Sequence, residues 1–157
     1  MTFIKNLSFL IVCMVLSVTR VYAEAPGPIR WYLQSAEQGY ASSQFQLGKM
    51  YLNGEAVEQN FDQARLWFRL AALQDYPAAQ FEMGEIFRLG SGVAIDHILA
   101  FAWYHLAALN KLSAGMEARK RMSGVMDAGQ IADAYWQVKL IWKEMDGEAA
   151  LSVLPEY

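Results

Sequence analysis

Few residues in this sequence are able to do chemistry. His97 and His105 stand eight apart on one predicted helix. At 100° per residue they lie about 80° apart around its axis, so they cannot hold one ion together. His97 falls in the first turn after Asp96, and both histidines are read as surface or capping groups. A nucleophilic serine needs a base within reach, and none of Ser35, Ser43, Ser91 and Ser113 begins a Ser-x-x-Lys motif. Glu82, Glu85 and Asp133 are isolated helix-face acids, most simply solvated. Gly90-Ser91-Gly92 looks like part of a phosphate loop, but no lysine follows it. Cys13 is the single cysteine, which excludes a disulfide framework and a thiolate zinc cage. The sequence therefore offers no catalytic residue, no metal site and no cofactor site.

Composition agrees with that poverty. The chain has 157 residues, 55% of them hydrophobic, and a net charge of −3. So apolar a chain is not a disordered tail, and with no block of basic residues it lacks the electrostatic footprint of a nucleic-acid binder. The first 23 residues read as a leader. Lys5 supplies a positive start, Leu7 to Val18 is an uncharged apolar run, and Val21-Tyr22-Ala23 has the form of a signal-peptidase site. Arg20 ends the run short of the roughly 20 residues that a membrane span requires. Cleavage after Ala23 is expected, with an uncleaved anchor as the alternative and the only foreseen contact with a membrane. Removing the leader takes away Cys13, Lys5 and Arg20, leaving 11 basic and 16 acidic residues, a charge of −5. An exported chain with no cysteine must be stabilised by packing alone.

The residues that follow recur with a period of 36. Trp31, Trp67 and Trp103 keep that step, as do Ala36, Ala72 and Ala108. Residues 31–72 laid over 67–108 give 14 identities in 42 positions, far above chance. Each unit reads as two helices. Gln44, Leu47, Gly48 and Tyr51 line one face of the first. Asn53-Gly54 ends it, and Asn60 with Gln63 forms a capping box for the second. That second helix presents Ala64, Leu66, Trp67, Leu70 and Ala71, and the recurring tryptophans are assigned to the core. In the next unit Pro77 opens the first helix and Asp96 caps the second. His105 there takes the slot of surface Arg69. Small residues such as Gly48, Gly84, Ala64 and Ala100 let helix axes approach closely beside large rings.

The pattern Gln-Phe-x-Leu/Met-Gly, then Gly90-x-Gly92-Val93-x-x-Asp96, then Ala-x-x-Trp-Phe/Tyr-x-x-Ala-Ala resembles the Sel-1-like repeat, a relative of the tetratricopeptide repeat. The first copy departs from it at Ala56 and Asn60, so its loop is expected to be less tightly turned. The expected fold is an all-α solenoid of stacked antiparallel helix pairs, seven helices in about three and a half repeats. The expected organisation is a signal peptide over 1–23, a linker over 24–28, a repeat array over 29–146 and a tail over 147–157. Within the array, 29–39 is a half repeat, 40–75 and 76–111 are full repeats, and 112–146 holds capping helices. In the last of these, Ile131, Ala134, Tyr135, Val138, Ile141, Trp142 and Met145 form one stripe, preceded by an Asp127–Gln130 capping box. Trp136 is left without an assigned role, either closing the final pair or partly exposed.

The resemblance implies that first helices line a concave face. Candidate partner-binding residues there are Ser42, Phe45, Lys49 and Leu52, then Phe81, Glu82, Glu85 and Arg88, then Arg121. Lys49, Glu85 and Arg121 occupy equivalent positions; alternating charge would either fix repeat register or help orient a bound peptide. Phe45 and Phe81 would serve either as anchors or as half-buried packing. The function expected is that of an exported adaptor or scaffold, periplasmic or secreted, binding a peptide or partner helix of another protein and no nucleic acid. The alternative, implied by some cysteine-rich relatives alone, is a cell-wall or β-lactam hydrolase.

Overall fold

The computed structural model describes residues 27–146, and the expected leader and C-terminal tail lie outside them. Seven helices fill this span: α1 (Gly27–Glu37), α2 (Ala41–Asn53), α3 (Phe61–Ala72), α4 (Pro77–Leu89), α5 (His97–Leu109), α6 (Ser113–Ser123) and α7 (Ala128–Asp146). No strand occurs among the described residues. Helix α1 takes in residues 27 and 28, which the sequence reading gives to the linker. Each helix from α1 to α5 packs on the next, and α7 packs on α5, so the array is an all-α repeat solenoid.

The helix ends follow local chemistry. Asn60 and Asp96 accept hydrogen bonds from the amides of Gln63 and Leu99 at the starts of α3 and α5. Asp127 and Gln130 cap α7 reciprocally, each side chain bonded to the other's backbone N–H. Gly54 and Gly90 end α2 and α4 in the left-handed region, both at φ 72°. The departing loop of the first repeat is turned like the second after all. Ala56, in the slot of Gly92, is held at φ 61° beside the glycine's 72°, because the same backbone closure is imposed from Asn60 N to Tyr51 O as from Asp96 N to Phe87 O.

Turns between repeats are equally regular. Gly39, Asp75 and Lys111, each 36 apart, all have positive φ. The first two of these corners are held by buried glutamines. Gln44 Nε2 donates to Ala36 O at 3.0 Å, and Gln80 Nε2 donates to Ala72 O at 3.2 Å. Gln74 and Asn110, again one period apart, donate in turn to Oε1 of Gln44 and of Gln80. The glutamine of the repeat motif thus adds a second donor to a turn carbonyl that already accepts from the backbone amide of Gly39 or Asp75.

Rings packed onto glycine set the helix spacing. A Cβ on Gly48 would lie 2.5 Å from the Phe68 ring, and one on Gly84 would lie 2.5 Å from that of Tyr104. Both rings are fully buried. The buried face of α3 is therefore Ala64, Phe68, Ala71 and Ala72, while Leu66 and Leu70 are exposed, contrary to the expected face. The tryptophan assignment also needs correction. Trp103 is buried and Trp67 half-buried, but Trp31 is 61% exposed. Trp67 packs with Ile29, Leu33 and Ala36 of the preceding half repeat and with Leu47 of its own unit. No described helix precedes α1 to cover Trp31 in the same way.

Candidate functional site

One groove of about 680 Å³ runs across the first helices of the repeats. Leu52 contributes from the end of α2, Phe81, Glu82, Glu85, Ile86, Arg88 and Leu89 from α4, and Ala118, Arg121, Met122 and Val125 from α6 and just beyond it. Ser91 and the buried Tyr104 complete the lining. Leu89 and Val125 stand exposed at the rim, whereas Ile86, Ala118 and Met122 are buried. The lining is thus largely apolar with charged groups set into it, the composition of a binding cleft.

Six of the nine candidate binding residues meet at this groove: Leu52, Phe81, Glu82, Glu85, Arg88 and Arg121. The other three do not line it. Ser42 and Lys49 are exposed on α2. Phe45 is a packing residue, its ring 5.7 Å from Phe68 and 5.2 Å from Tyr76. Phe81 combines both expected roles, since its ring lies 5.6 Å from Tyr104 and it also faces the groove.

The charges are arranged differently from the alternating ladder. Glu85 pairs on its own helix with Arg88, not with Lys49 or Arg121. Tyr104 Oη donates to Glu85 Oε1 at 2.6 Å, and Arg88 Nε donates to the Tyr104 oxygen at 3.2 Å. Burial pushes the Glu85 carboxyl up. Hydrogen bonds from Arg88 and Tyr104, with the charges of Arg88 and Arg121, outweigh this and hold it below the usual range. Burial and the adjacent carboxylate raise the Tyr104 phenol. Arg121 pairs loosely with Glu117 at 3.8 Å, both well exposed. The cross-repeat pairing is absent because the i,i+3 partner and the tyrosine hydroxyl lie nearer to Glu85 than either of its ladder neighbours.

Glu82 is not the freely solvated acid expected. It is half-buried, and burial first, then the charge of Glu85, raises its carboxyl, with Lys49 opposing. Asp133 is exposed.

His105 departs furthest from the surface role assigned to it. It is 8% exposed, stacked on Phe101 and edge-on to Tyr135. Arg119 Nη1 donates to its Nδ1 at 3.2 Å, which leaves the ring proton on Nε2. Burial, then the Arg119 charge, lowers it to about 4. The ring sits in a packed wall and not in the groove. His97 is exposed, one residue past the Asp96 cap.

Ser91 is the only serine along the groove, and no histidine or lysine lines it. No group of three His, Cys, Asp or Glu suited to a metal occurs among the described residues, and none of their helices is long and apolar enough to cross a membrane. Sequence reasoning missed Tyr104 as a groove residue. Its signal was the Tyr that replaces Phe68 one period on, beside a glutamate where α2 has Lys49.

The Sel1 repeat profile matches residues 29–40, 41–76 and 77–112. A protective antigen present in uropathogenic Escherichia coli strains, displaying an SLR fold, superposes with a TM-score of 0.68 at 29% identity. That match covers 82% of this chain but 28% of the antigen, so the chain spans less than a third of its length. A Sel1 repeat protein from Oxalobacter formigenes gives a TM-score of 0.56 at 31% identity, covering 72% of this chain and 95% of that one. No curated protein sequence matches significantly.

Proposed function

The chain belongs to the Sel1 repeat family, and we propose that it acts as an exported, non-catalytic adaptor that binds a segment of another protein in the groove across α2, α4 and α6. Arrays of this family are typically protein-interaction modules. The observation that carries the reading is the groove itself, formed by the exposed sides of consecutive first helices and lined by apolar side chains with fixed charges between them. Helical repeats present such extended surfaces because each unit repeats the same orientation. Export rests on the charged start, apolar run and small-residue site of residues 1–23.

Two measurements test this. Fractionation followed by N-terminal sequencing should find the chain outside the cytoplasm, starting at Glu24; a cytoplasmic chain that keeps Met1 contradicts export. For binding, Arg121→Glu combined with Val125→Asp changes two exposed groove residues without touching the core. That variant should lose co-purifying proteins that wild type and Leu66→Asp, altered on exposed α3, both retain. Equal retention by all three contradicts the groove.

A further inference from the structure

The groove's charges indicate what kind of segment it takes, an inference that rests on the groove-binding reading above. Four ionised side chains border it, and three are already satisfied. Both Glu85 oxygens are occupied, Oε1 by Tyr104 and Arg88 and Oε2 by Arg88. That arrangement also accounts for the Arg88 charge. Arg121 stands at the rim, 68% exposed, with Glu117 and water around it. Glu82 is different. It makes no hydrogen bond or ion pair among the described residues, although it is half-buried in the groove wall. Its carboxyl is raised by that burial and by Glu85, and Lys49 compensates only in part. A carboxylate partly withdrawn from water with no hydrogen-bond partner gains when a donor reaches it.

The complementary group must be cationic and must tolerate apolar walls. Lysine and arginine meet both conditions, because their methylene stems can lie along rings such as Phe81 while the charged head reaches a carboxylate. We propose that the segment bound in this groove carries a lysine or arginine beside an apolar anchor, the cation pairing with Glu82. This chain's own residues 147–157 do not fit: they contain Glu148 and Glu156 and no lysine or arginine. Lys5 and Arg20 leave with the expected leader, so the occupant we assign is a basic, amphipathic segment of another protein.

Selection of phage-displayed random dodecapeptides on the purified chain tests this without knowledge of the natural partner. Wild type, Glu82→Gln and Glu82→Lys are panned in parallel, with circular dichroism and thermal melts to establish that all three fold alike. Wild type should enrich peptides with lysine or arginine next to apolar residues, and Glu82→Gln should lose that bias. Synthetic copies of wild-type-selected peptides should bind Glu82→Gln at least about tenfold more weakly, while Leu66→Asp, on the exposed side of α3 away from the groove, changes their affinity little. Groove-bound peptides with no basic bias, and equal affinity for Glu82→Gln, would overturn the charge assignment and leave the groove standing. Peptides whose binding survives Leu89→Asp with Val125→Asp would overturn the groove itself. Failure to enrich any peptide would overturn both.

Discussion

Tyr104 links the core of this protein to its surface. Its ring packs onto Gly84 as Phe68 packs onto Gly48 one repeat earlier, and its hydroxyl then holds Glu85 at the groove. The glycine is needed because a Cβ there would strike the ring. A different constraint operates at Ala56, an L-residue held at φ 61° where the second repeat has glycine. Left-handed backbone costs a non-glycine residue roughly 1–2 kcal/mol, and glycine's extra unfolded-state entropy offsets part of the relief. Ala56→Gly should therefore stabilise the chain by about 0.5–1 kcal/mol, measured by urea unfolding. A loss of stability would mean that the loop is not strained there. The glycines and caps of the Gly-x-Gly loop could be read from the sequence, since each has a local backbone reason. The left-handed Asp75 and Lys111 could not be read so easily. Their residue types do not demand that conformation, and the requirement comes from the turn itself, closed by backbone hydrogen bonds at both sites and fastened further by buried Gln80 at Asp75.

Among the elements, α5 differs from the others because it is covered on several sides. It packs against α4, α6 and α7, and residues 101–108 are all buried. His105 occupies the slot that in α3 belongs to Arg69, which reaches out to Glu144 at 2.6 Å. Periodicity alone therefore assigned His105 to the surface. Its burial comes from α6 and α7, whose placement no repeat copy records. This gives the array an acid-sensitive end. Well above pH 6.5 the ring is neutral in folded and unfolded chains alike, and it adds no pH dependence. As pH falls from 6.5 toward 4, the unfolded chain takes up a proton that the folded chain refuses, so stability drops. The loss is complete below about 4 and amounts to at most about 3 kcal/mol. His105→Leu should remove this component. Comparing urea unfolding of the two proteins at pH 7 and pH 4.5 isolates it from the carboxylates. Parallel pH profiles would show that His105 is not held neutral.

At the scale of the whole molecule, the stack explains both its open end and its groove. Trp67 and Trp103 pack against the unit before them, whereas Trp31 on α1, with no described helix preceding it, is exposed. The seven-helix solenoid was legible from the 36-residue period, because stacking identical units imposes one relationship throughout. The groove was legible in part, since first helices were expected to line it. Phe45 takes the packing alternative of the two left open for it, because an aromatic in that slot faces Phe68 and Tyr76 in one repeat and the groove in the next. Binding through the groove is the central claim, and crosslinking from defined positions tests it most directly. A photoactivatable residue placed at Leu89 or Val125 on the groove rim, or at Leu66 on α3 as the control, is irradiated in cells and the adducts are mapped by mass spectrometry. The account predicts that both rim positions capture the same segment of one protein, with lysine or arginine beside its apolar residues, and that Leu66 does not. Capture of that segment from Leu66 alone, with the rim positions silent, would contradict it.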